Sequence, residues 1–153
     1  MLTTPSPTVL AACMAAFLSA CAGAAYQRIP GPPPDSAVAP DACRVYVARL
    51  DVTAGSLRNV RVFDGDMEVG VLGEEEYLCW DRPARRGTGF AVFEGMDYHT
   101  KEVENVFDLP RDGGTTTWLG VSVRRDDRKP QIERLSSEEG RALIAKRRPA
   151  GAR

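Results

Sequence analysis

Hydrophobic and polar positions alternate with period two through most of the chain beyond residue 42. Cys43–Leu50 places Cys43, Val45 and Val47 on one face and Arg44, Tyr46 and Ala48 on the other. Asn59–Phe63 has Val60 and Val62 in step, and Asp64-Gly65 follows as a hairpin dipeptide, because glycine tolerates positive φ. Met67–Leu72 then offers Met67, Val69 and Val71 on one face. Glu76–Asp81 is a fourth run, and Thr88–Glu94 a fifth with Phe90 and Val92 in step. Glu102–Leu109 carries Val103, Phe107 and Leu109, and Asp112-Gly113-Gly114 marks another turn. Thr115–Arg124 is the clearest strand, with Thr117, Leu119, Val121 and Val123 on one face. Gln131–Leu135 is a shorter eighth candidate.

A change of period follows. Ser136-Ser137-Glu138-Glu139 fits a capping box, with Ser136 as N-cap and Glu139 at the third helical position. The acidic first turn and basic last turn predict a short helix to about Arg147. The pattern predicts a mostly-β domain over residues 43–147. It is a small antiparallel β-sandwich or open barrel of about seven or eight strands with a short C-terminal helix.

The first 20 residues are of another kind, for they carry no charged side chain. The apolar run Val9–Leu18 has about half the length needed to span a bilayer, which is the length of a secretory signal's hydrophobic region. Leu18-Ser19-Ala20-Cys21 resembles the lipobox of bacterial lipoproteins. That resemblance implies removal of a signal peptide, residues 1–20, and a covalent lipid (palmitate among its chains) on Cys21. With Ala22 next, it further implies the outer membrane, with the domain facing the periplasm. Two or three acyl chains anchor a protein stably where one does not. The alternative is ordinary cleavage after Ala22 or Ala24, giving a soluble periplasmic protein.

Residues 21–42 hold the lipidated Cys21 and a spacer containing Pro30, Pro32, Pro33, Pro34 and Pro40. Proline lacks the N–H that helices and ladders need, so this stretch reads as an extended tether. Residues 148–153 read as a basic tail.

The strand CRVYVAR, the Asp64-Gly65 turn, Val69-Gly70-Val71-Leu72 and the stretch Tyr77-Leu78-Cys79-Trp80-Asp81-Arg82-Pro83 resemble the bacterial lipoprotein family called "domain of unknown function 2846". The resemblance covers about residues 43–135. It implies a mostly-β lipoprotein domain and brings no catalytic residues.

Charge and chemistry narrow the function. Twenty Lys+Arg against 21 Asp+Glu give a net charge of -1, which removes the broad attraction that drives nucleic-acid binding. The single histidine, His99, falls in a polar run and reads as solvated. Asp64-Gly65-Asp66 lacks the ligand series of a calcium loop. Glu74-Glu75-Glu76 reads as a solvated bend. No nucleophile motif occurs, so no enzyme, metal or cofactor is expected beyond the lipid on Cys21.

If Cys21 is acylated, Cys43 and Cys79 remain as a candidate disulfide in an oxidising compartment. Such a bridge would close about 35 residues, worth roughly 4 kcal/mol by chain entropy; the alternative is two buried thiols that never meet. Tyr77, Trp80 and Trp118 form a candidate aromatic binding patch, with core packing as the competing role. The expected function is a membrane-anchored, non-catalytic envelope lipoprotein that binds an envelope protein or supports envelope structure. The alternative is a periplasmic small-ligand or glycan-binding module using exposed aromatics.

Overall fold

The computed structural model describes residues 26–30, 36–50, 58–96, 105–124 and 126–151. The signal segment, Cys21 and His99 lie outside the described residues. Ten strands and one helix occur among those described. They are β1 (Gln27–Arg28), β2 (Ala42–Arg49), β3 (Val60–Asp64), β4 (Met67–Leu72), β5 (Glu76–Pro83), β6 (Gly87–Phe93), β7 (Asn105–Leu109), β8 (Thr115–Ser122), β9 (Gln131–Leu135), α1 (Ser137–Ile144) and β10 (Arg148–Pro149). The domain is mostly β, as the alternation predicts.

Two sheets face each other. One has the order β1-β5-β2-β8-β9, with β10 also on β5; the other has the order β4-β3-β6-β7. Between them pack Val45 and Val47 of β2, Leu78 and Trp80 of β5, Val60 and Val62 of β3, Phe93 of β6, and Leu119 and Val121 of β8. Those of β2, β3 and β8 come from the alternating apolar set of their strand, which is why that pattern was readable. Two pairs depart from the expected antiparallel arrangement: β2 and β8 run parallel from Cys43↔Thr115 to Arg49↔Val121, and the short β10 runs parallel to β5. A parallel pair requires a long crossover. For β2 and β8 it is made by the intervening chain, which builds the whole second sheet and returns once as β5.

Two strands differ in phase from the sequence pattern. In β4, Val62 pairs with Gly70 while Phe63 pairs with Glu68, a bulge that inserts Val69. The bulge shifts the phase, so Val69 and Leu72 are buried, Val71 is half-buried and Met67 is exposed. In β6 the inward residues are Ala91 and Phe93, not Phe90. Phe90 stacks on Phe63 with ring centroids 4.4 Å apart on the outer side of that sheet.

The outer face of the larger sheet is also covered. Tyr46, Ala48, Tyr77, Cys79 and Trp118 form a second apolar layer with Ile144 of α1. β2 is therefore buried along its whole length. The helix begins as predicted: the Ser136 side chain accepts from the Glu139 N–H, and Glu139 accepts from the Ser136 N–H in return. Those bonds hold the Glu139 carboxyl below the usual carboxylate range. The helix stops at Ile144, short of the expected Arg147.

Both flanks belong to the folded unit. Tyr26 packs on the core, Gln27 and Arg28 pair with Asp81 and Trp80, and the Ile29 N–H donates to the Cys79 carbonyl at 2.8 Å. Ala39 and Asp41 carbonyls accept from Gly114 and Ala84. Residues 148–151 are no free tail. Arg148 and Pro149 pair with Glu76 and Tyr77, and Ala150 is buried.

Gly140 marks how closely α1 lies on the sheet. A β-carbon there would come within 2.5 Å of the Trp118 ring. Helix propensity alone would make Gly140→Ala stabilising by about 1 kcal/mol. The contact reverses the sign, and a loss of about 1–3 kcal/mol is expected from overpacking. A denaturant melt decides it: a rise in the midpoint would disprove the close approach.

Candidate functional site

The three candidate aromatics separate onto two faces of one sheet. Trp80 is fully buried between the sheets, with its indole N–H donating to Asp64 Oδ2 at 2.9 Å. It is a core residue, and the expected exposed patch does not include it. Tyr77 and Trp118 point the other way, toward α1, and are themselves 2% and 9% exposed. Trp118 stacks on Tyr46 with centroids 4.2 Å apart and planes 6° from parallel. Tyr77 and Trp118 do share a hollow of about 370 Å³, closed by Ile144, Ala145, Pro149 and the stems of Arg141 and Arg147. The aromatic pair is thus a packed layer with a shallow apolar opening.

The cysteines likewise part. Cys43 and Cys79 are free and buried. Cys43 stands opposite Arg82 on the inward face, whereas Cys79 stands opposite Tyr46 on the outward face. Three positions along a strand separate them by about 10 Å, beyond the roughly 7 Å a bridge can span. The expected disulfide is therefore corrected to two separate thiols. Cys43 Sγ lies 3.1 Å from the Asp112 carbonyl and donates to it. Burial pushes the Cys79 thiol up to about 12 and raises Cys43 as well. Thiolate is the reactive form, so both should resist alkylation while the chain is folded. Under non-reducing denaturation both should label fully, as mass spectrometry would register; a protected pair would restore the bridge.

The polar interior is concentrated at one end of the sandwich. Asp64 closes the β3–β4 hairpin, where Gly65 takes φ 59° at the first loop position. Its Oδ2 accepts from both Trp80 Nε1 and Arg82 Nε, each at 2.9 Å. Arg82 Nη1 donates onward to the carbonyls of Arg85 at 2.8 Å and Pro110 at 2.7 Å. The Arg82 side chain is 3% exposed and that of Asp64 13%. One guanidinium thus ties three turns together. Tyr26 lies beside this pair, and burial, then the Asp64 charge, pushes its hydroxyl up to about 12. Asp64→Ala would leave Arg82 buried without its counter-charge. A loss of about 3–5 kcal/mol is expected; calorimetry showing under 1 kcal/mol would refute the role.

A second pair lies on the outward face. Arg44 holds Asp81 through two bonds of 2.7 and 2.9 Å and also donates to the Ser36 carbonyl. That pins the chain preceding β2 to the sheet.

Two polar hollows complete the surface. One, of about 400 Å³, lies among Asn59, Glu74, Glu76, Glu94 and Arg148. The other, of about 490 Å³, lies at the Arg82 end among Arg86, Asp108, Arg111, Asp112, Thr116 and Arg134. Sequence reasoning missed the second. Arg85-Arg86 and the Thr115-Thr116-Thr117 run were visible, but Arg134 reaches it only through the pairing of β9 with β8. Among the described residues no group of three His, Cys, Asp or Glu side chains could hold a metal ion, and no helix is long and apolar enough to cross a membrane.

No family model, no curated protein and no solved structure matches the chain.

Proposed function

We propose that this chain is a cell-envelope lipoprotein, anchored through Cys21 in the outer membrane. Its β-domain acts without catalysis, binding an envelope protein or supporting envelope structure. The observation that carries the reading is the placement of the chain just after the lipobox. Only four residues separate Cys21 from Tyr26, which packs on the core, and β1 follows at once. Five extended steps reach at most about 18 Å.

Acyl chains on Cys21 would therefore hold the domain beside the headgroups. The 21-residue tether expected from proline content shrinks to a short leash, because Tyr26–Ile29 is part of the sheet. A leash that short favours a fixed attitude toward the membrane over free reach. The Arg82 end of the sandwich, where Tyr26 sits, faces the bilayer in this arrangement.

Labelled palmitate tests the anchor. The wild-type chain should incorporate it and lose the mass of residues 1–20, while Cys21→Ser should incorporate none and keep the precursor mass. A wild-type chain that takes up no label would sink the reading.

A further inference from the structure

The 490 Å³ cleft is a ligand-sized space whose chemistry the fold does not use. It opens where the two sheets separate beyond β7 and β9. Arg86 comes from the β5–β6 turn, Asp108 from β7, Arg111 and Asp112 from the β7–β8 turn, and Arg134 from β9. Thr115 and Thr117, on the inward face of β8, border it, with Thr117 buried.

Two features set this cleft apart from an ordinary charged surface. Arg86 and Arg134 have no ion pair or hydrogen bond among the described residues. Arg111 and Asp112 meet only at 3.9 Å, with side chains 73% and 82% exposed, a contact of little strength. Three arginines therefore line a space bordered by hydroxyls, and none has a strong partner among the described residues. Guanidinium is the group that best matches phosphate oxygens in pairs.

The charge selects among phosphates. Three arginines against the carboxylates of Asp108 and Asp112 leave one positive charge in the cleft. That balances a phosphodiester, which carries a single negative charge. A phosphomonoester carries about -1.5 to -2 and would leave an excess beside two aspartates.

We propose that this cleft binds a phosphodiester, with the threonine hydroxyls taking the neighbouring glycerol or sugar hydroxyls. The cleft lies at the end of the sandwich where Tyr26 joins it, since Gln27 pairs with Asp81 and Cys43 pairs with both Arg82 and Thr115. If the lipid-anchor reading holds, the ligand is a phospholipid headgroup in the same membrane. The phosphodiester chemistry itself does not rest on that reading.

The test uses the full chain in neutral detergent, titrated calorimetrically with three probes. These are glycerophosphoglycerol, inorganic phosphate, and phosphatidylglycerol in mixed micelles. Glycerophosphoglycerol should bind saturably and more tightly than inorganic phosphate. Arg86→Gln with Arg134→Gln should weaken it at least tenfold with the melting temperature unchanged, because both side chains are exposed. Tighter binding of phosphatidylglycerol than of its headgroup assigns the source to the membrane; equal binding assigns it to a soluble diester. The proposal is overturned if no probe saturates, if the double variant binds as wild type, or if inorganic phosphate binds more tightly. A failure of palmitate labelling leaves these outcomes untouched, so the two readings fall separately.

Discussion

The buried Arg82–Asp64 pair is the constraint on which the arrangement of this domain turns. A guanidinium that is 3% exposed must have nearly all its donors met, and its partners define what the chain can do around it. Asp64 takes the Nε proton and supplies the charge, and the Arg85 and Pro110 carbonyls take those of Nη1. Those three acceptors lie on three alternate connections, so one side chain sets the positions of the β3–β4, β5–β6 and β7–β8 turns. Asp64 also satisfies the Trp80 indole, which lets the largest core side chain sit fully between the sheets. An apolar pair of similar volume often packs as well as a buried ion pair, but here it would not fix the turns that border the arginine cleft.

The same geometry explains why β2 reads as amphipathic yet is buried on both sides. Its inward face meets the second sheet; its outward face meets the Tyr46–Trp118 stack and α1. The arginine that alternation would send to solvent, Arg44, is instead matched in place by Asp81. Arg49, on the inward face, donates to the Arg58 carbonyl. Covering the outer face is what permits the parallel β2–β8 pair, since parallel strands occur where both faces are sheltered.

What the sequence made legible was local. The period-two runs, the Asp64-Gly65 turn and the Ser136–Glu139 capping box are each written within a few residues and each appear where expected. What it hid depended on pairing between distant segments. Whether Trp80 or Trp118 faces the core follows from which sheet face each strand presents, and both faces proved to be covered. The Cys43–Cys79 idea assumed adjacency without register, and register places them on opposite faces. The bulge at Val69 changes the parity of β4 without leaving a turn residue of its own. Tyr26–Ile29 looked like a spacer because composition describes a segment's independence, not the unpaired edge it meets. The arginine cleft was hidden for the same reason, as Arg134 is seventeen or more positions from every other lining residue.

β5 would leave its outer edge open without the two terminal flanks. An uncovered edge in a sheet of this size invites pairing with other chains. Here two short segments cover it from opposite directions, β1 antiparallel at Asp81–Trp80 and β10 parallel at Glu76–Tyr77. They meet midway, where Arg28 Nη2 donates to the Ala150 carbonyl at 3.0 Å. The N-terminal side of the domain is therefore held by ladder bonds, by the core contact of Tyr26 and by the C-terminal segment together. Under the proposed lipid anchor, tension from Cys21 would be carried into β5, the strand that holds Trp80 and Arg82. A short connection tied to the most constrained strand transmits orientation, which a flexible spacer of the same composition could not.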